Sequence, residues 1–174
     1  SLNPLAHIDP IGFIMLLFAG FGWGKPVNVN PRNYNRDITV EKADAIVSIA
    51  GPAMNIILAI LFTIIYCIIY KTCGLLIVTN RILSIIMQMI MYTITINIGL
   101  GIFNLIPLPP LDGSKVIKPL LPYNAKRWFE DNERIFYIIF VILWITGIAG
   151  TIISPVINVV FKGIFKLAKI IFKI

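Results

Sequence analysis

Charged residues are missing from three long stretches of the chain. No Asp, Glu, Lys or Arg occurs in residues 45–70, 82–111 or 135–161. Each stretch exceeds the roughly 20 residues that a helix needs to cross a bilayer. A water-soluble domain would not carry such stretches, so a soluble enzyme or binding domain is excluded. With 58% hydrophobic and 13% charged residues, the composition predicts an integral membrane protein.

Cysteine and histidine are also scarce, with two cysteines and one histidine in 174 residues. Cys67 and Cys73 match neither a disulfide framework nor a C-x-x-C ligand pair, so we interpret both as packing residues. The net charge of +7 does not indicate a nucleic-acid partner. The basic residues flank the apolar stretches and form no dense patch with interleaved aromatic residues.

The charge-free stretches predict three transmembrane helices within one membrane domain. The first begins near Gly51, because proline at the next position is tolerated in the first turn of a helix. The third ends before Ser154 and Pro155, which are typical of the N-cap and first residue of a new helix. The predicted domain covers residues 1–174, and the predicted helices cover residues 51–70, 82–106 and 135–153.

The segments outside these helices have their own patterns. Residues 10–24 are apolar but short and glycine-rich, which predicts a re-entrant segment, and an alternation of Val and Asn follows, which predicts a short strand or a plain linker. Together they cover residues 10–31. Residues 155–174 carry lysines at spacings of four, three and four, which predicts an amphipathic helix on the membrane surface. The alternative is a solvated face on a helix packed against the other spans.

A carboxylate stands in an unexpected place, in the stretch "FNLIPLPPLDG" that follows the second apolar run. The prolines predict irregular backbone, which membranes tolerate only where it is buried in protein or lines a cavity. Asp112 at this break is a candidate functional residue, because an unpaired carboxylate in a membrane is costly. Asn97 and Asn104 lie on one helical face leading towards it. A turn at the interface, with asparagines that hold helices together, is the alternative.

Several ordered motifs resemble those of the site-2 protease family, zinc metalloproteases that cut peptide bonds within the membrane. The pattern N-x-x-P-x-x-x-x-D-G, formed by Asn104, Pro107, Asp112 and Gly113, resembles the family signature. "AGPAMN", which ends at Asn55, resembles its G-P-x-x-N element. "NPLAHIDPIG" and "FGWGKPVNVNPR" resemble a short bacterial subgroup without a PDZ domain. The resemblance covers most of the chain.

The resemblance implies a role for each matched residue. Asp112 would be the third zinc ligand, completing a set with two histidines and leaving the fourth position for the attacking water. Asn55 and Asn104 would bind the substrate backbone or stabilise the oxyanion. The implied partners are a transmembrane protein or peptide substrate and the lipid bilayer. The implied setting is regulated intramembrane proteolysis in the bacterial inner membrane, with Asp112 near the cytoplasmic side.

The family's H-E-x-x-H motif, which supplies two zinc-binding histidines and a general base, does not occur in this sequence. His7 matches the subgroup's "HIDP" stretch, and we interpret it as structural. The remaining candidate ligands cannot build a zinc site alone, so we assign no catalytic residue and expect these 174 residues to be inactive by themselves. We expect the H-E-x-x-H helix to precede Ser1.

The sequence therefore predicts an all-α integral membrane protein with about three transmembrane helices, a re-entrant segment with a short β-strand, and a C-terminal amphipathic helix. It would form the downstream part of an intramembrane zinc metalloprotease. One alternative is a pseudoprotease that holds transmembrane helices without cutting them. Another is a small transporter or channel subunit, in which Asp112 and the asparagines line an ion path.

Overall fold

The protein is described here from a computed structural model, which describes residues 3–19, 22, 24, 25 and 29–173. The chain divides into two compact units, Ser1–Arg36 and Asp37–Ile174. The single membrane domain predicted from the sequence stays a prediction.

The first unit contains helix α1, Pro10–Ala19, preceded by a 3₁₀ helix, Pro4–His7, and followed by another, Pro31–Asn33. Asp9 begins α1 by accepting hydrogen bonds from the amides of Ile11 and Gly12, at 3.0 and 2.9 Å. Such a cap satisfies amide groups that have no partner within the helix.

The structure does not support the predicted strand or re-entrant segment within residues 10–31. Residues 26–28, at the centre of the predicted strand, lie outside the described residues. In the part that is described, the pairing is limited to an isolated bridge between Ile8 and Gly24. Val29 and Asn30 lead directly into a 3₁₀ helix, in which the Arg32 amide donates to the Asn30 side chain at 3.0 Å. The ten residues of α1 form an ordinary helix, about 15 Å long, which is too short to span a bilayer.

Two long antiparallel helices dominate the second unit. Helix α2 is Val40–Thr79 and helix α3 is Arg81–Asn104. Asn80 alone connects them: its amide donates to the Leu76 carbonyl at 2.8 Å, and its side chain caps the first amides of α3. One asparagine thus ends one helix and begins the next, so the two helices pack side by side along their length.

Five further helical segments follow a proline-rich loop. They are α4 (Asp112–Ile117), a 3₁₀ helix (Lys118–Leu120), α5 (Tyr123–Asp131), α6 (Glu133–Ile145) and α7 (Ile148–Phe172). Helix α4 packs on α2, and α7 packs on both α2 and α3. The second unit is therefore a bundle of three long helices with a cluster of short ones after α3.

The third predicted span differs from the structure. Within the described part of the chain, the helices long and apolar enough to cross a membrane are α2, α3 and α7. The predicted span at residues 135–153 is divided at Gly147, whose positive φ of 73° favours glycine. The preceding helix α6 has 13 residues, or about 20 Å, which is short of the bilayer core.

The tail prediction is also corrected. Ser154 and Pro155 do not begin a new helix, because α7 continues through both residues. The Ser154 hydroxyl instead donates to the Gly150 carbonyl at 2.6 Å, within the same helix. The apolar face of α7 packs against a fully buried cluster on α2 and α3, which consists of Ala59, Ile94 and Ile98. Helix α7 is thus packed against the other spans, as the alternative interpretation has it, and its lysines are exposed at the margin of the packed face.

Candidate functional site

A proline-rich loop ends α3 and positions Asp112. Proline lacks an amide hydrogen and disfavours helix in the residue before it, so a helix cannot continue through Pro107, Pro109 and Pro110. Helix α3 ends at Asn104, and the loop closes through short turns, including a hydrogen bond from the Leu111 amide to the Leu108 carbonyl at 2.9 Å. Asp112 then becomes the first residue of α4.

Gly113 holds α4 against the end of α3. A Cβ atom added at this position would lie 2.3 Å from the Leu105 carbonyl oxygen and 2.4 Å from that of Ile106. Both atoms belong to the backbone, so neither can rotate away. Only glycine fits at this position. The tight contact therefore fixes the orientation of the adjacent Asp112 at the start of α4.

The Asp112 carboxylate lies beside Gly51 on α2. A Cβ atom at Gly51 would be 4.0 Å from Oδ2 of Asp112, and the carboxylate keeps 38% of its side-chain surface exposed. Its Oδ1 is 3.9 Å from Nζ of Lys115, one turn along α4. That ion pair is long and solvent-exposed, so it contributes little to stability and leaves the carboxylate accessible.

The same region contains a close approach of α2 and α3. A Cβ atom at Gly101 would lie 2.9 Å from Cδ1 of Ile56 and 3.2 Å from the Pro52 carbonyl oxygen. Pro52 is fully buried inside α2, which begins at Val40 rather than near Gly51 as predicted. Proline has no amide hydrogen to donate to the carbonyl one turn earlier, so α2 is locally weakened beside the Asp112 carboxylate.

The two predicted substrate-binding asparagines lie on the helices that meet there. Asn55 follows Gly51 by one helical turn and is half-buried, and Asn104 is the last residue of α3, three positions after Gly101. Asn97 differs, because its side-chain amide donates to the Thr93 carbonyl of its own helix at 2.8 Å. Asn55, Asn104 and Asp112 therefore belong to one end of the α2–α3 pair.

Ion pairs connect the short helices to this end of the bundle. Lys126 on α5 donates a hydrogen bond to Glu41 in the first turn of α2, and this bond raises the pKa of Lys126. Lys118 lies 3.7 Å from Glu130, which joins the 3₁₀ helix to α5. These contacts hold α5 beside the start of α2. Asp112 takes part in neither of them.

The residues around Asp112 do not complete a zinc site. Zinc in a catalytic centre needs three protein ligands. Among the residues that the structure describes, no three His, Cys, Asp or Glu side chains come together in a way that could hold a metal ion. His7 belongs to the other unit, Ser1–Arg36. The residues predicted from the sequence to form the site therefore supply one carboxylate ligand, Asp112.

Comparison with known proteins identifies the family. Residues 69–147, which include the loop and Asp112, match peptidase family M50. Over 174 residues the chain is 35% identical to "Putative zinc metalloprotease YwhC" of Bacillus subtilis (strain 168), covering 99% of this chain and 77% of that protein. The chain belongs to peptidase family M50, the site-2 protease family. No solved structure matches it.

M50 membership confirms the family predicted from the ordered motifs, and with it a metalloprotease kind and an integral membrane setting. The contacts of Gly51, Gly101 and Gly113 were not predicted from the sequence. A signal was present, because Gly51 and Gly113 are themselves motif residues. Only packing showed what a side chain would meet at those positions.

Proposed function

We propose that this M50 chain takes part in hydrolysing peptide bonds in or near the transmembrane segments of other proteins, with Asp112 as a metal ligand. The observation that supports the proposal is the position of the Asp112 carboxylate beside Gly51, where an added Cβ atom would lie 4.0 Å from Oδ2. It places the carboxylate of one family motif beside the glycine of the other, although the two residues are 61 positions apart in the chain. The carboxylate is also exposed enough to reach a metal ion or water.

Asn55 and Asn104 are proposed to bind the backbone of the substrate. A side-chain amide both donates and accepts hydrogen bonds, and so can pair with the N–H and C=O groups of an unwound peptide. A transmembrane helix must be unwound before cleavage, since its peptide groups are otherwise bonded within the helix. Both asparagines are half-buried at the end of the α2–α3 pair, where they remain accessible to such a peptide.

Zinc is the metal that the family implies, and a single carboxylate is too few ligands for a catalytic zinc ion. A working centre would need further ligands from outside these 174 residues, because H-E-x-x-H is not among them. The contributions proposed for this chain are therefore a single ligand, a substrate-binding surface and the packing that fixes both.

The test uses protein produced from its complete coding sequence, purified and analysed for zinc per chain and for cleavage of a transmembrane reporter. We expect Asp112→Ala to lose most of the zinc and the cleavage. Asp131→Ala is the matched control. It also removes one carboxylate, but that carboxylate is exposed on α5 beside Arg127. It should retain both. Full zinc occupancy in Asp112→Ala would contradict the role of Asp112 as a ligand.

The second candidate is a pseudoprotease that binds transmembrane helices without cutting them. It requires that the whole protein lack H-E-x-x-H, as these 174 residues do. It predicts no stoichiometric zinc in the unmodified protein, together with capture of transmembrane peptides that weakens in Asn55→Ala and Asn104→Ala. Ion flux in liposomes that falls in Asp112→Asn would instead support a transporter or channel subunit.

We also propose that the protein resides in a bacterial inner membrane with Asp112 near the cytoplasmic side. The spans predicted from the sequence put nine cations on the Asp112 side and six on the other, and basic residues favour the cytoplasm. A cysteine introduced at Asn124, beside the exposed start of α5, provides the test. It should resist an impermeant maleimide in intact cells, and labelling from outside would reverse the orientation.

A further inference from the structure

A cavity between α2, α3 and α7 lies far from Asp112. It measures about 780 Å³ and is partly open to the outside. Tyr70 on its wall is about 28 Å along α2 from Gly51, at 1.5 Å per residue. That distance is close to the thickness of the bilayer core, so the cavity opens towards the opposite membrane interface.

Aromatic side chains build two walls of this cavity. Tyr66 stacks on Tyr70 with ring centroids 6.3 Å apart and meets the edge of Phe165 at 5.7 Å. Phe165 in turn stacks on Phe161 at 4.5 Å. Met91 of α3 and Ile170 of α7 add further apolar surface. The walls are thus continuous and mostly apolar, with the two tyrosine hydroxyl groups as polar atoms.

Three lysines face the same cavity. Lys162, Lys166 and Lys169 lie at i, i+4 and i+7 on α7 and all contribute to its lining. None of the ion pairs found in the described part of the chain includes them. The residues that line the cavity include no Asp or Glu. The cavity therefore combines three positive charges with no carboxylate.

The position of these lysines along α7 means that their charges need a partner. The Lys71 ammonium donates to the Phe172 carbonyl at 2.8 Å, which marks this end of the α2–α7 contact. Lys162 lies about 15 Å before Phe172 along α7. An ammonium group at that depth needs water or a counter-anion, because a lone charge in hydrocarbon is unfavourable. The cavity offers the volume for either.

We propose that this α2–α3–α7 cavity binds an anionic phospholipid, with its phosphate on Lys162, Lys166 and Lys169 and its acyl chains along the apolar wall. Charge complementarity selects an anion, and basic pockets between transmembrane helices are known to suit lipid phosphates. The apolar lining selects an amphiphile over a free phosphate, which would leave the aromatic wall uncovered. The tyrosine hydroxyls can donate to the same phosphate oxygens.

The test is native mass spectrometry of the full protein, after exchange into a zwitterionic detergent with defined lipid. We expect one phosphatidylglycerol per chain to be retained, and phosphatidylcholine to be lost. Lys162→Gln/Lys166→Gln/Lys169→Gln should bind phosphatidylglycerol roughly 100-fold more weakly, from about a five-fold loss per lysine. Substitution of the same lysines by arginine should preserve binding.

The matched control removes three charges elsewhere, in Arg32→Gln/Arg36→Gln/Arg127→Gln, and should bind the lipid as the unmodified protein does. If circular dichroism shows that the triple lysine variant has lost helix, the three single variants decide, each with a several-fold loss. Equal loss in the control, or equal retention of both lipids, would overturn the proposal. So would displacement of phosphatidylglycerol by millimolar inorganic phosphate, which would indicate a site for a free anion.

Discussion

Replacing Gly113 by alanine tests whether the tight contact behind Asp112 fixes the site. The added methyl group would lie 2.3–2.4 Å from three backbone atoms of Leu105 and Ile106. Ordinary carbon contacts are about 3.5 Å or longer, so the gap must open by about 1 Å. Neither side of the contact is a flexible side chain. Helix α4 must therefore move away from the end of α3 and carry Asp112 with it.

The expected cost can be compared with a control in a similar local setting. Gly150→Ala also changes a glycine in the first turn of a helix, but a Cβ atom there would meet nothing within 4 Å. Both variants gain the helix preference of alanine over glycine, and only Gly113→Ala suffers the overpacking, which typically costs about 1–3 kcal/mol. At about 2–4 °C per kcal/mol, the melting temperatures should differ by about 2–12 °C.

The assay is thermal unfolding of the two variants in one detergent, followed by cleavage of the transmembrane reporter. A displacement of about 1 Å in a catalytic group can lower activity about 100-fold, so Gly113→Ala should lose activity as well as stability. Gly150→Ala should keep both. Equal melting temperatures and full activity in Gly113→Ala would refute the argument that this glycine positions Asp112.

Three further predictions concern the bundle. Pro155→Ala should stabilise the protein by up to about 3 kcal/mol, because proline interrupts the interior of α7, and an unchanged melting temperature would instead favour a helix start at this residue. Ala59→Leu should destabilise by about 1–3 kcal/mol in thermal unfolding, because Ala59 is fully buried, whereas exposed Ala53→Leu should have little effect. The pKa of Lys126 is raised in the folded state, so the stabilisation from its bond to Glu41 is fully present below the unfolded pKa of about 10.4 and is lost above it. The stability difference between the protein and Lys126→Gln should therefore stay constant to about pH 10 and shrink at higher pH, and a difference that vanishes near neutral pH would contradict this.

Prolines were only partly informative about helix boundaries. In the loop after α3, three prolines within four residues remove so many helical hydrogen bonds that the break could be predicted, and α3 ends two residues before the predicted position 106. Pro52 and Pro155 stand alone inside long apolar helices. Each removes a single hydrogen bond, and packing of α2 and α7 against their neighbours outweighs that loss.

The sequence by itself determined the membrane class, the first two spans, the M50 family and the residues that carry its motifs. These features depend on long charge-free stretches and on fixed residue spacing, which are local properties of the chain. Only the tertiary structure decided that α7 is the third long helix, that Asp112 lies against Gly51, and that the lysines of α7 face a cavity. Each of these depends on contacts between segments far apart in the chain, and hydrophobic periodicity shows which face of a helix is buried without showing what covers it.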